Sequence, residues 1–476
     1  MRRDMLRIWR AGVDAVGAER LVTDALRRAD HRLIVQGEPL DLDAIGRITV
    51  VGAGKAGAGM AAAVEQILGP ELLAEKRVTG WVNVPQGCER SMQAIHLHPA
   101  RPEGCNEPTL EAVAGAERIL EMVGAMQPDD LCLALISGGA SALLPAPSEG
   151  ITLEDKLQVT RLLSGRGANI QQLNTVRKQL SRIKGGGLPR ACRAGRIITL
   201  VISDVPGDPL DVIGSGPTQA DNSTPQDALA VLEQFDPARS EIPQAVWNLL
   251  NRRASQASGA SYSPPKSDTP ERGEGSPAES HPPRAETFVI GNNAQAVDAA
   301  GAEAERLGYS HAMVSSPRPE GQAEDVGRHL ARLAQRMRNE PGPDCLISGG
   351  EPVVTLCDAA QRGLGGRNQQ LTLAALEWFE QQAVQGVGLL SGGTDGEDGP
   401  TDAAGAWLDD AVRHRAQQLG LEANPFLKRN DAYHFFEACD ALLKTGPTHT
   451  NVCDLRIVLV DRRELSGASR VVSDEG

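Results

Sequence analysis

Residues 48–57 read ITVVGAGKAG. An apolar run at 48–51 meets a glycine turn, Gly52-Ala53-Gly54-Lys55-Ala56-Gly57, and an alanine-rich stretch at 60–68 follows. That order is a buried strand, a tight turn and a helix. The unit recurs. Residues 131–136 lead into Ser137, Gly138 and Gly139, and 197–202 into Ser203 and Asp204. Residues 288–290 lead into 291–293, 345–347 into Ser348, Gly349 and Gly350, and 387–390 into Ser391, Gly392 and Gly393. Short, wholly apolar strands alternating with helices predict an α/β fold with parallel sheets covered on both faces. Ligands of such sheets bind beyond the carboxyl ends of the strands, and every one of these loops is at such an end.

The 476 residues are too many for one core and predict two or three domains. Apolar residues make up 41% of the chain and aromatics only 3%, so the cores rest on aliphatic side chains. A net charge of −14 with no basic stripe argues against a nucleic-acid partner. No apolar run reaches the roughly 18–20 residues of a membrane span. Eight cysteines, none in CxxC spacing, predict reduced thiols in a cytoplasmic protein. Four arginines near the start are offset by Asp4, Asp14 and Glu19, which speaks against a transit peptide. Met5, Ile8, Trp9, Gly12, Val13 and Val16 instead recur at the spacing of an amphipathic docking helix.

Residues 254–285 hold six Pro and seven Ser, and lack Val, Ile, Leu, Met, Phe and Trp. Such a segment predicts a disordered insertion. The chain is thereby divided into a domain at 1–253, the insertion at 254–285, a domain at 286–465 and a tail at 466–476.

The first loop satisfies GxGxxG, with Gly52, Gly54 and Gly57 in place, so a dinucleotide site is one reading. A ribose-holding acid is expected about 20 residues on, and the next strand ends at Asn83, Val84 and Pro85 without one. Lys55 is a cation that such a loop does not need. At a helix N-terminus it can meet an anion together with free N–H groups; a tight turn with a solvated lysine is the plain alternative. Arg367 follows Gly365 and Gly366 and opens a helix, where positive charge opposes the macrodipole unless an anion intervenes. Both cations are at the ends of elements, so alanine at either is expected to leave the fold intact. Asp204 and Asp208 follow one strand, and Asp395 and Asp402 fall in an acid-rich stretch at 391–402. Carboxylates at strand tips suit Mg²⁺, though a lone Asp is more often a turn former. Ser137, Gly138, Gly139 and Ser141, with Gly349, Gly350 and Glu351, are candidate nucleotide or substrate loops.

The stretches VVGAGKAG, ISGGASALLPAP, NTVRKQLSRIKGGGL, ISDVPGDPLDVIGSGPT, ISGGEP, GLGGRNQQ, SGGTDGEDGPTDAAGA and TGPTHTNVCD occur in that order. Together they resemble the glycerate kinases that carry a C-terminal MOFRL module, from about residue 5 to 460. The resemblance implies two three-layer α/β/α domains, the N-terminal one Rossmann-like with a mainly parallel sheet and the C-terminal one a smaller MOFRL-type domain, with the active site in the cleft between them. It implies ATP-dependent, Mg²⁺- or other divalent-metal-dependent phosphorylation of D-glycerate at its 2-hydroxyl. Lys55 and Arg367 match the positions of the family's catalytic cations. The rival readings are an NAD(P)H-dependent hydroxypyruvate reductase, weakened by the missing ribose acid, and a non-catalytic sugar-acid sensor. A homo-oligomer is compatible with the sequence.

Overall fold

A computed structural model describes residues 1–102, 107–259 and 283–462. The chain forms two compact units. One comprises Ala25–Val201 and Pro209–Phe288; the other comprises Met1–Asp24, Ile202–Asp208 and the C-terminal stretch from Val289.

In the first unit a six-stranded sheet runs in the order Ile95–Arg101, Thr79–Pro85, Ile48–Ala53, Leu131–Ser137, Arg196–Ile202, Arg284–Gly291. Ile48–Ala53 is parallel to both of its neighbours, and Thr79–Pro85 is parallel to Ile95–Arg101. All six residues of Ile48–Ala53 are buried, as a central strand of a parallel sheet requires. Gly52 permits the close approach of the next strand, for a β-carbon there would come 2.2 Å from the Leu135 carbonyl oxygen. Beside the sheet, the helices Leu153–Gly165, Ile170–Gln179, Pro225–Phe235 and Gln244–Gly259 bury Val159, Val176, Leu232 and Trp247 in a core of their own. Three of them open on reciprocal capping boxes, Thr152 with Asp155, Asn169 with Gln172 and Thr224 with Asp227. Each such cap is worth about 1 kcal/mol.

The second unit departs from the all-parallel expectation. Its sheet is ordered His311–Ser315, Cys345–Gly350, Asp454–Val460, Val387–Gly393, Gly405–Leu408, Leu442–Leu443. Asp454–Val460 runs antiparallel to both neighbours, and only the His311–Ser315 pairing is parallel. Apolar content marks a strand but not its direction, so the sequence pattern misses this. Alternation along Asp454–Val460 sets the layers. Leu455, Ile457 and Leu459 pack with Met5, Ile8, Trp9 and Val13 of helix Arg2–Ala15 and with Val297 and Ala300 of helix Asn293–Arg306. Val458 and Val460 pack on the other face with Leu330 of helix Ala323–Asn339 and Leu373 and Phe379 of helix Arg367–Gln382.

The structure differs from the expected boundaries in two places. Helix Arg2–Ala15 groups with the C-terminal unit rather than with 1–253, because its apolar stripe is covered by that sheet. Residues 254–259 continue helix Gln244–Gly259, and residues 284–285 open strand Arg284–Gly291, so the expected insertion is narrower at both ends. Its remaining part, and the expected tail, fall outside the described residues. No described helix is long and apolar enough to cross a membrane.

Candidate active site

Lys55 follows the strand Ile48–Ala53 and precedes the helix Gly57–Glu75. Its backbone N–H donates to the Gly138 carbonyl (2.9 Å), and the Ala56 N–H donates to Ser137 Oγ (3.0 Å). The two glycine loops are thereby stitched together. Gly54 (φ 142°) would place a β-carbon 2.0 Å from Ser137 Oγ, so no other residue fits. Gly57 is packed against Val82, whose Cγ1 would be 2.9 Å from an added β-carbon. Gly139 adopts φ 81°, and a β-carbon there would lie 3.5 Å from Lys55 Cγ and 3.9 Å from Arg101 Nη2. Two cations therefore flank the Gly138-Gly139 turn. Arg101, which is buried, did not stand out in the sequence because it closes a weakly patterned strand.

Ser141 belongs to a second polar cluster in the same unit. Its hydroxyl is 3.0 Å from Ser215 Oγ, and Lys184 Nζ donates to Ser141 Oγ and to its carbonyl, both at 2.8 Å. Ser215 Oγ in turn donates to Asn174 Oδ1 (3.1 Å). Burial, with Lys156 and Arg177 nearby, lowers the Lys184 ammonium well below the usual lysine range.

In the other unit, Arg367 is the first residue of helix Arg367–Gln382. The sequence reading asked for an anion there, and the chain itself supplies it. Arg367 Nε and Nη2 bond both oxygens of Asp454 (2.8 and 3.0 Å), while Nη1 bonds Glu351 Oε1 (2.8 Å). Asn368 Nδ2 also donates to Asp454 (3.0 Å), and Ser391 Oγ donates to Asn368 Oδ1 (2.6 Å). Asp398 caps the helix by accepting the N–H groups of Asn368 (3.0 Å) and Gln369 (2.9 Å). Gly366 leaves room for it, since a β-carbon there would come 2.3 Å from Asp398.

The electrostatics follow from this packing. Burial pushes Asp398 up to about 7, against the pull of the two backbone N–H groups. Burial also raises Glu351 to about 7; Arg367 pulls it down, whereas Asp204 and Asp454 push it further up. Burial opposes the Arg367 charge, but Asp454 and Glu351 more than offset this and hold the guanidinium protonated. Gly349 and Gly350 serve close packing, because β-carbons there would strike Asn293 Oδ1 (1.8 Å) and Glu320 Oε2 (2.0 Å). Glu320 itself makes a two-pronged ion pair with the buried Arg456.

The four aspartates proposed for a metal do not form one group. Asp204 accepts from Asn451 Nδ2 (3.2 Å) and Asp208 from Asn292 Nδ2 (2.7 Å). Asp395 accepts the Glu397 N–H (3.1 Å). Asp402 is bound by Tyr433 Oη (2.8 Å) and Lys444 Nζ (2.9 Å). Among the described residues, no three acids, histidines or cysteines are grouped as a ready-made metal site. Within the acidic loop the structure buries Asp398, not the two aspartates that the sequence reading selected. Asp454 carried a legible signal, an acid at the head of the stretch 455–460, which is apolar except for Arg456.

Comparison with known proteins places this framework. Residues 4–251 match a domain of unknown function, DUF4147, and residues 344–454 match the MOFRL family. A glycerate kinase of Danio rerio is 34% identical over 95% of this chain and 96% of its own length. A glycerate 2-kinase of Pyrococcus horikoshii is 33% identical over 96% of each chain. A protein of Agrobacterium vitis that is 38% identical, over 87% of this chain and 100% of its own, bears the name putative hydroxypyruvate reductase. The crystal structure of a glycerate kinase from Thermotoga maritima matches with a TM-score of 0.75 and 32% identity, over 96% of this chain and 99% of that one. The chain belongs to the glycerate kinase family.

Proposed function

We propose that this protein transfers the terminal phosphoryl group of ATP to the 2-hydroxyl of D-glycerate, giving 2-phosphoglycerate and ADP. The observation that carries this reading is kinship with glycerate kinases over nearly the whole chain. Phosphoryl transfer spreads charge over the phosphoryl oxygens, and catalysis is largely positioning and cationic stabilisation. Lys55, held at a strand tip by the Gly138 carbonyl, is assigned to phosphate oxygens. Arg367 is assigned to the substrate anion, with Asp454 and Glu351 fixing the plane of its guanidinium. Glu351, poised near neutrality, suits acceptance of the hydroxyl proton as the new O–P bond forms and ADP leaves.

A divalent cation, when bound, would neutralise phosphate charge, and one or two carboxylates with phosphate and water suffice to hold Mg²⁺. Asp204 and Asp208 fit that task, as hard oxygen donors on one short segment, each accepting an amide hydrogen bond, from Asn451 and Asn292. Asp402 fits it poorly, being already bound by Lys444. Cys132, Cys192, Cys345, Cys357, Cys439 and Cys453 form no disulfide, which suits a cytoplasmic setting.

The reductase reading is favoured by one relative's name. Against it, strand Thr79–Pro85 ends without a carboxylate, and Asn83 is buried with its amide on the Leu143 carbonyl (2.7 Å). The test incubates the protein with ATP, MgCl₂ and D-glycerate and identifies the product by NMR, with NADH and hydroxypyruvate in parallel. 2-Phosphoglycerate is expected. A 3-phosphate product overturns the regiochemistry, and NADH oxidation without ADP formation overturns the kinase.

A further inference from the structure

Lys178, Arg182, Lys184, Arg190 and Arg253 line a cavity of about 430 Å³ in the unit formed by Ala25–Val201 and Pro209–Phe288, and Asp221 is the only carboxylate in its wall. Two of the cations are paired. Lys178 lies 3.5 Å from both Asp211 and Asp221, and Arg182 pairs with Glu117. The other three donate only to neutral oxygens. Lys184 is on Ser141, Arg190 Nη1 on the Gly185 carbonyl (2.7 Å), and Arg253 on the Gln179 carbonyl (2.5 Å) and Ser148 Oγ (3.2 Å). Among the described residues, none of the three has a carboxylate at ion-pair distance.

This is an unusual concentration in a chain of net charge −14. Burial first, then Arg252 and Arg190, disfavour the Arg253 charge, so the cations are gathered against their own repulsion. An incoming anion would remove that cost. The wall is also built for closeness. Gly185 (φ 56°) and Gly186 (φ 73°) are left-handed, and β-carbons there would meet Asp221 Cβ at 2.9 Å and the Gln219 carbonyl oxygen at 3.1 Å. The volume falls within the range of about 300–1,000 Å³ typical of small-molecule sites. A second cavity of about 540 Å³ shares Lys178 and Asp221 with it, giving the rest of a larger ligand somewhere to go.

We propose that this cavity binds a phosphate-bearing anion, with Arg190 and Arg253 as its two guanidinium forks. Two forks and an ammonium match the oxygens of a phosphate group, which guanidinium can bond two at a time. Through Lys184, occupancy is linked to Ser141 and the 137–141 loop that adjoins Lys55. The phosphate can belong to the nucleotide's chain or to a phosphate ester. The inference stands apart from the glycerate kinase reading, which serves only in choosing probes.

The test titrates the full chain with pyrophosphate, ATP and 2-phosphoglycerate by calorimetry, for wild type and for Arg190→Ala/Arg253→Ala. At least one probe should bind the wild type and lose about tenfold or more in the variant, as expected for removal of a charge-assisted bond. Loss for ATP together with a raised KM for ATP assigns the site to the nucleotide chain. Loss for 2-phosphoglycerate alone assigns it to a phosphate ester. Hydrogen exchange on the wild type runs beside this, so a variant that fails to fold does not end the test: the bound probe should protect residues 178–190 and 219–223. The proposal is overturned if no probe binds, if a folded variant binds all three as the wild type does, or if protection spares those segments. Glycerate phosphorylation is assayed separately. Turnover without protection sinks the cavity alone, and protection without turnover sinks the kinase reading alone.

Discussion

Replacing Arg367 by alanine should unsettle the fold as well as the chemistry, contrary to what its position at the end of a helix suggests. Asp454 is fully buried, and two of its three side-chain hydrogen bonds come from Arg367. Without them a carboxylate remains in the interior with Asn368 as its donor. Removing one partner of a buried ion pair costs about 3–5 kcal/mol. The Arg367 side chain is 33% exposed, so water screens part of the pair, and about 2–3 kcal/mol is the expected loss. For a unit of this size that corresponds to roughly 4–12 °C in Tm, at about 2–4 °C per kcal/mol. Urea unfolding with an unchanged m-value measures it. Adding Asp454→Asn removes the stranded charge, and the double variant should recover more than about 1 kcal/mol of the loss. An Arg367→Ala protein within about 0.5 kcal/mol of wild type, or strict additivity in the double variant, refutes the reasoning.

Lys55→Ala should leave unfolding within about 1 kcal/mol of wild type and lower kcat/KM by a factor of roughly 10³–10⁵, with little rescue by arginine; near-normal turnover removes Lys55 from the reaction. Gly54→Ala forces a β-carbon into Ser137 Oγ at a positive φ, and should cost about 1–3 kcal/mol by thermal melting while also lowering kcat. An unshifted melt would show that the loops part without penalty. Asp398 is raised to about 7 in the folded protein and returns to about 4 on unfolding, so the folded state binds more protons between those values. Its contribution to stability therefore falls as pH rises from about 4 to about 7 and is level above. The stability of wild type minus that of Asp398→Asn should slope downward across that window, and a flat difference contradicts the assignment.

The strand-and-loop grammar of the chain was legible because it is local. The apolar runs at 48–51, 131–136, 197–202, 345–347 and 387–390 all fall within strands, but only some of the glycines after them form turns: Gly138 and Gly139 follow their strand, whereas Gly349, Gly350, Gly392 and Gly393 are the last residues of theirs. Lys55 and Arg367 stood out because a cation in a glycine loop or at a helix N-terminus is locally anomalous. The partners of Arg367 were not legible. Asp454 is 87 residues away and reaches Arg367 only because its strand is placed between Cys345–Gly350 and Val387–Gly393, an order that no periodicity encodes. Asp398 was hidden for a different reason. It is one of four acids in eight residues, and composition does not say which of them the helix Arg367–Gln382 will draw inward.

The sandwiching of strand Asp454–Val460 against helix Arg2–Ala15 has a consequence for how this molecule is made. During synthesis the helix emerges more than 400 residues before the strand that covers Trp9. At about 5–20 residues per second, that apolar stripe waits for tens of seconds without its lasting partner. The intervening unit, by contrast, holds within 25–288 the residues it needs and can condense while the ribosome is still working. Asp454 arrives with the same late strand, so Arg367 has Glu351 but not Asp454 as a counter-charge until a further 87 residues have been made. A nascent chain stalled before residue 454 would thus carry an uncovered helix and an incomplete ion-pair cluster, and would be a natural client for chaperones that shield amphipathic segments.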